Sequence, residues 1–199
     1  MGEIMMKRYT ITIGTPFCNE SHSIDKYING LLNLDYPKEL IDLYWVENNS
    51  SDDTWNILNN KYNEIKLKYN YHSFKLIRMT GLHGNIPKED FGYFNDGKIK
   101  INVESPEIVI HLIKVFNSIL EESVENKSDF SLTIVADVVV PPKLIKIFLK
   151  DMENISNCGW VGGVIHNRYP NQRVSYYRDS QEPIWYGIGS PILKINNTS

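Results

Sequence analysis

RYTITIG, residues 8–14, runs directly into TPFCNES, residues 15–21, and that junction decides the fold. The first half alternates and is rich in β-branched residues, which predicts a strand. The second half is polar. Behind it, residues 21–34 carry Ile24, Tyr27, Ile28, Leu31 and Leu32 at helical spacing, so a helix follows. The same strand, polar turn and helix recur twice more. Residues 40–46 read as a second strand that runs into VENNSSDDT, residues 46–54. There Ser51 or Asp52 caps a helix reaching Tyr69, with Trp55, Leu58, Tyr62 and Ile65 on one face. Residues 131–135 read as a buried strand, and VADVVVPP, residues 135–142, leads through Pro141 and Pro142 into a helix ending near Glu153. In an open α/β sheet, ligands bind outside the carboxyl ends of the strands. Acids and amides gathered at three such ends point to a nucleotide and a divalent metal.

The rest of the chain fits the same architecture. Residues 74–79 read as a third strand. Residues 80–104 contain Gly81, Gly84, Pro87, Gly92 and Gly97; a connection of that length is expected to be functional or mobile, and His83 and Lys88 would belong to such a lid. Pro106 suits the first turn of a helix, which has Ile110, Ile113, Val115, Ile119 and Leu120 available for burial. Residues 160–165 read as another strand, 169–177 as a hairpin or excursion, and 184–195 as a final strand pair or edge. Strands alternating with helices predict an α/β fold: a single-domain, Rossmann-like, mostly parallel sheet flanked by helices, with antiparallel additions near the C-terminus. Residues 1–199 are read as one domain, with a nucleotide-binding half (8–137) and an acceptor-side half (138–199).

Composition narrows the function classes. The 199 residues suffice for one sizeable core. The formal net charge is −3, without the clustered basic excess that a nucleic-acid partner needs. Cys18 and Cys158 form neither a disulfide framework nor a metal-ligand spacing, so a reducing, cytoplasmic setting is expected. Residues 1–10 show no apolar export core, and no apolar run approaches the ~20 residues needed to cross a bilayer; neither a signal peptide nor a transmembrane segment is expected. Ala136 is the one alanine, while Ile, Asn, Lys and Tyr are abundant. That bias suggests an A/T-rich genome, archaeal or viral.

The first strand-to-helix turn, GTPFCNES, matches neither the dinucleotide fingerprint GxGxxG nor the phosphate loop GxxxxGK[ST]. A bound pyrophosphate must then be neutralised in another way. A divalent cation held by a carboxylate does this, since hard cations take phosphate oxygens together with one or two carboxylates. Asp137 is the best placed carboxylate, at a strand end before a helix. Its other reading is an ordinary helix cap. Phe17 could stack on a base or end a buried strand. His166 directly follows VGGVI, residues 161–165, as a third metal ligand or simply a polar strand end. Arg168, Arg173 and Arg178 stand among tyrosines, where they would hold phosphates or an acidic acceptor, or remain solvated.

Taken together, TPFCNES, VENNSSDDT and VADVVVPPKLI resemble the glycosyltransferase A-type (GT-A) fold of family 2 glycosyltransferases and their relatives. Pro16, Asn19 and Glu20 match that family's P-T-Y-N-E motif. Val46, Ser50, Asp52 and Thr54 match V-D-D-G-S-T-D-x-T. Ala136, Asp137 and Pro142 match the D-A-D motif and the proline after it. Asn117, in FNSIL, resembles a segment preceding the acidic motif. The resemblance covers residues 8–165 and, more weakly, 187–195. It implies a hexosyltransferase that moves a sugar from a nucleoside diphosphate to a hydroxyl of a glycan or protein acceptor, with inversion. It implies Mn2+ or Mg2+ on Asp137, and nucleotide contacts from Pro16, Phe17, Glu47, Asn48 and Asn117. It also implies a catalytic base after the acidic motif. Asp179 and Glu182 are the nearest acids there, with Glu89 and Asp90 in the long loop next in line; Asp151, some ~14 Å down a helix, is too far.

The chain departs from the family at three places, the first being that Cys18 stands where the first motif has its aromatic, with Phe17 before it. Val135 replaces the first acid of D-A-D, and Glu47-Asn48 replaces the acidic pair of V-D-D, so the base is left open because Asn48 can donate or accept. Two alternatives stand beside the transferase: a degenerate nucleotide-sugar-binding protein, favoured by Val135, and a nucleotidyltransferase, disfavoured by the absence of a glycine-rich loop.

Overall fold

The structure is a computed structural model that describes residues 8–79, 91–93, 99–101, 106–155, 158–162 and 191–194. The first strand, β1 (Ile11–Phe17), leads to helix α1 (Ile24–Leu32). A 3-10 turn (Lys38–Leu40) then leads to β2 (Ile41–Asn48), and α2 (Thr54–Lys68) leads to β3 (Ser73–Met79). Short strands β4 (Phe91–Tyr93) and β5 (Ile99–Ile101) pair with each other. Helix α3 (Pro106–Glu125), β6 (Phe130–Thr133), α4 (Leu144–Asn154), β7 (Trp160–Gly162) and β8 (Pro191–Lys194) follow.

Six strands form one sheet in the order β3-β2-β1-β6-β8-β7. The first four are parallel, with Ile11 opposite Ile41 and Phe130, and Asp42 opposite Ser73. β8 runs antiparallel to both β6 and β7. Among the described residues the antiparallel addition near the C-terminus is one reversed strand that joins β7 to the parallel set; the hairpin expected over residues 169–177 lies outside them. β1 reaches three residues further than the alternation of residues 8–14 indicates, so Thr15, Pro16 and Phe17 are strand. Residues 80–104 contain the small antiparallel β4–β5 ladder.

The side chains of β2 show why the sheet is buried on both faces. Ile41, Leu43 and Trp45 pack with Ile11, Ile13 and Phe17 and with the inner faces of α1, α2 and α4. Tyr44 and Val46, with opposite parity, pack on Val115 and Ile119 of α3. Every residue of β2 is buried, as expected of a parallel strand covered on both sides. Gly14 makes the α3 contact possible, because a Cβ there would lie 2.1 Å from Ile119 Cγ2.

α3 departs from the sequence reading. Val115 and Ile119 are buried, but Ile110 and Ile113 are about half exposed. The inner face instead carries His111, Ser118, Glu122 and Ser123, all buried. These polar groups meet polar partners under the sheet: Lys75 Nζ donates to Glu122 at 2.8 Å, and Ser123 Oγ donates to Ser131 Oγ at 2.8 Å. Helical periodicity sees an apolar stripe but not the polarity of the surface that the helix must match.

Candidate functional site

The carboxyl ends of β2, β1 and β6 lie side by side, with β1 in the middle. At about 4.8 Å between strands, the outer two ends are about 10 Å apart. That span suits a nucleoside on one side and its diphosphate on the other.

The turns after β1 and β2 are tied together by the residues that match the two sequence motifs. Asn19 and Asn49 both adopt positive φ, 55° and 49°, a conformation Asn tolerates better than most residues. Asn19 Oδ1 accepts the Ser51 N–H at 2.8 Å, and the Asn19 N–H donates to Ser50 Oγ at 3.0 Å. The Glu20 N–H donates to Thr54 Oγ1 at 2.8 Å, and the Ser21 N–H to Asp52 Oδ2 at 3.1 Å. Asp52 Oδ1 also accepts the Thr54 N–H at 3.0 Å. Asp52 thus serves both turns. Burial acts to raise its pKa, but the donors from Ser21 and Thr54 outweigh it and hold the carboxyl below its usual value.

Glu47 and Asn48 end β2 as expected, and both side chains are buried. Glu47 accepts the Ser50 N–H at 2.5 Å and Arg78 Nε at 2.8 Å, and the Arg78 guanidinium lies over the Trp55 ring at 5.1 Å. Asn48 Oδ1 is hydrogen-bonded to His111 Nε2 of α3. Since the amide oxygen can only accept, the imidazole donates from Nε2. The sequence reading missed His111. Its signal was present, since residues 111, 115, 118 and 122 recur at helical spacing.

Two expected nucleotide contacts change on inspection. Phe17 is fully buried and meets Tyr27 and Trp45 edge to face, with ring centroids 5.4 and 5.6 Å apart. Its ring is a core element and offers no face to a base. Asn117 lies on the outer surface of α3, beside Leu120, Glu121, Val124 and Glu125. It is one and two-thirds turns beyond His111, about 9 Å along the axis, and the fold does not bring it to the strand ends. Pro16 is at the mouth, in register with Val46 and half-buried.

Asp137 lies in the turn after β6, exposed to solvent. The turn is closed by Val138 N–H donating to Val135 O at 3.1 Å. It is fixed from behind by α1 and the turn after it: the Asp35 N–H donates to Pro142 O at 2.8 Å, and Gly30 in α1 lets the backbone of Val140 approach so closely that a Cβ would be 3.2 Å from its nitrogen. The carboxylate is therefore presented from a braced backbone. Among the described residues no three His, Cys, Asp or Glu side chains gather as a metal cluster. One exposed carboxylate at a strand end fits a hard cation that takes its remaining ligands from phosphate and water.

Among the described residues, carboxylates gather around the end of β1. Cys18, just beyond β1, has its thiol pushed up to about 11, by burial first and then by the carboxylates of Glu47, Glu20 and Asp52. The expectations for Asp179, Glu182, His166, Arg168, Arg173, Arg178, His83, Lys88, Glu89 and Asp90 concern residues outside those described. Among the described residues no helix is long and apolar enough to cross a membrane.

A mostly parallel sheet with one reversed strand among the described residues, flanked by helices, is a GT-A-type glycosyltransferase fold. The Anp1 family profile matches residues 3–160, and the chain belongs to that family, a mannosyltransferase-related one. No curated protein sequence matches the chain. Among solved structures it is similar to the mannosyltransferase PcManGT from Pyrobaculum calidifontis, in complex with GDP-Man and Mn2+. The identity is 16% and the TM-score 0.55, over 80% of this chain and 36% of that one. It is also similar to TarS 1–349 from S. aureus, at 16% identity and a TM-score of 0.54, over 93% of this chain and 47% of that one. The chain thus spans less than half the length of either protein.

Proposed function

We propose that the chain is a glycosyltransferase that binds a nucleoside-diphosphate sugar across the ends of β2, β1 and β6 and transfers the sugar to a hydroxyl of a glycan or protein. The observation that carries this reading is the joining of motif residues from two separate strand ends into one braced rim, opposite the turn that presents Asp137. The family assignment supports a mannosyl donor, and PcManGT, crystallised with GDP-Man and Mn2+, makes GDP-mannose the first donor to test.

In this reading Asp137 would hold Mn2+ or Mg2+, and the cation would supply charge neutralisation for the leaving diphosphate. The protein does the rest. Pro16 and the rim of residues 18–21 shape the nucleoside side. Glu47 positions the Ser50 amide and Arg78, and His111 holds the Asn48 amide at the edge of the mouth. An acid among Asp179 and Glu182 takes the acceptor proton, and direct attack inverts the anomeric centre.

Calorimetry with GDP and UDP, with and without Mn2+, tests the binding step, and transfer from GDP-mannose tests the reaction. Wild type is expected to bind a nucleoside diphosphate far more tightly with metal present. Asp137→Asn, a folded variant at an exposed position, is expected to lose most of that gain. Metal-dependent binding that survives Asp137→Asn would overturn the assignment. Binding without turnover of any nucleotide sugar would favour the degenerate binding protein that Val135 suggests.

A further inference from the structure

The outward face of α3 carries a pattern that its inner face lacks. Ile110, Ile113, Asn117, Leu120 and Val124 recur at spacings of three, four, three and four, the a and d positions of a two-heptad seam. Ile110, Ile113 and Val124 are 50%, 51% and 58% exposed. Asn117 and Leu120 line a shallow concavity together with Glu121, Val124 and Glu125. Because His111, Val115, Ser118, Ile119 and Glu122 face the sheet, this seam points directly away from the domain. Isolated exposed aliphatics are ordinary on protein surfaces; a contiguous apolar stripe on one helix is the kind of patch that marks an interaction site.

The flanking charges indicate what covers it. Lys114 and Glu121 are seven residues apart, both beside the seam at the e position and both exposed. When two identical helices pack antiparallel, e faces e across the seam. Lys114 of one copy then meets Glu121 of the other, and two-fold symmetry repeats the pair. Parallel packing would instead set Lys114 and Glu121 beside the uncharged Phe116 and Ser123 and leave both charges without an opposite partner across the seam. Asn117 lies near the centre of the seam.

We propose that this face is a homodimer interface, formed by antiparallel packing of α3 against α3 of a second copy. A single helix pair lies at the small end of the size range of specific interfaces, so a reversible monomer–dimer equilibrium is expected.

Sedimentation velocity and light scattering on the full chain, from below one to several hundred micromolar, test the proposal. A monomer–dimer equilibrium is expected. Lys114→Glu should weaken dimerisation at least tenfold by placing like charges across the seam, and adding Glu121→Lys should restore it. Asn117→Cys, in a Cys18→Ser and Cys158→Ser background, should give a disulfide-linked dimer on mild oxidation. Circular dichroism confirms that each variant is folded. Wild type that stays monomeric throughout, or a dimer indifferent to Lys114→Glu, overturns the proposal. So does a dilute monomer in which the α3 amides and the Asn117→Cys thiol are already protected, because another segment of the same chain then covers the seam.

Discussion

The two ends of the sheet both bury a carboxylate on β2, and they handle it in opposite ways. At the amino end, Asp42 is fully buried and receives Ser73 Oγ at 2.5 Å, Ser128 Oγ at 3.1 Å and His72 Nδ1 at 2.8 Å. Ser128 is also bonded to Thr12 at 2.8 Å, and Asp129 caps Thr10 N–H and Oγ1. The partners are side chains from adjacent strands and from the turn into β6, and the cluster closes on itself. At the carboxyl end, Glu47 binds a turn amide and an arginine whose far side lies on Trp55. The turns there rest on two left-handed asparagines, and among the described residues Glu20, Glu47 and Asp52 all lie near Cys18. Buried polar groups need partners at both ends. The amino end uses them to tie the turns before β3 and β6 to strand residues, and the carboxyl end uses them to tie the turns after β1 and β2 to each other.

The largest effect expected from this contrast is on Cys18. With its thiol pushed up to about 11 against an ordinary 9, the thiolate fraction at pH 8 falls about a hundredfold. Alkylation of Cys18 in the native protein should be slower than in the urea-unfolded chain by a comparable factor. A native rate equal to the unfolded one would remove the acidic field from the argument.

Gly14 sits between the two ends and sets the height of α3 above the sheet. Gly14→Ala would place Cβ against Ile119, and overpacking of this kind costs about 2–3 kcal/mol. The double variant Gly14→Ala, Ile119→Val should be less destabilised than the sum of the single changes, as urea unfolding would show. Strict additivity would mean that α3 is not seated on Gly14.

Asp42→Asn and Glu47→Gln probe the two ends directly. Each should lower stability by about 2 kcal/mol, since each removes a charge that buried donors were arranged to meet. They should differ in nucleotide affinity: unchanged for Asp42→Asn, reduced several-fold for Glu47→Gln, which releases the Ser50 turn. Equal effects in a calorimetric titration would erase the distinction between the ends.

The smallest effect is that of Asp52. Its folded pKa lies below its unfolded value, so its contribution is complete above the unfolded pKa and is lost as pH falls through the folded one. Between pH 5 and 3 in an acid titration, wild type should lose slightly more stability than Asp52→Asn. Parallel curves would show that the two turns are held without the Asp52 charge.

Local pattern was enough for the architecture. The β-branched run of residues 8–14, the apolar spacing in α1 and α2, and the prolines before α4 each act within a few residues, where backbone sterics and one-sided burial decide conformation. They located the strand ends, and with them Pro16, Glu47, Asn48 and Asp137. What those side chains touch depended on contacts between distant segments. Asn48 meets His111 across 63 residues and Asp42 meets Ser128 across 86. Phe17 became a core ring because Tyr27 and Trp45 closed around it, and Asn117 faced outward because α3 turned its polar side to a polar sheet surface. Periodicity can say that a helix has two faces. Which face is buried is decided by the chemistry of the surface it meets, and that surface is assembled only when the strands pair.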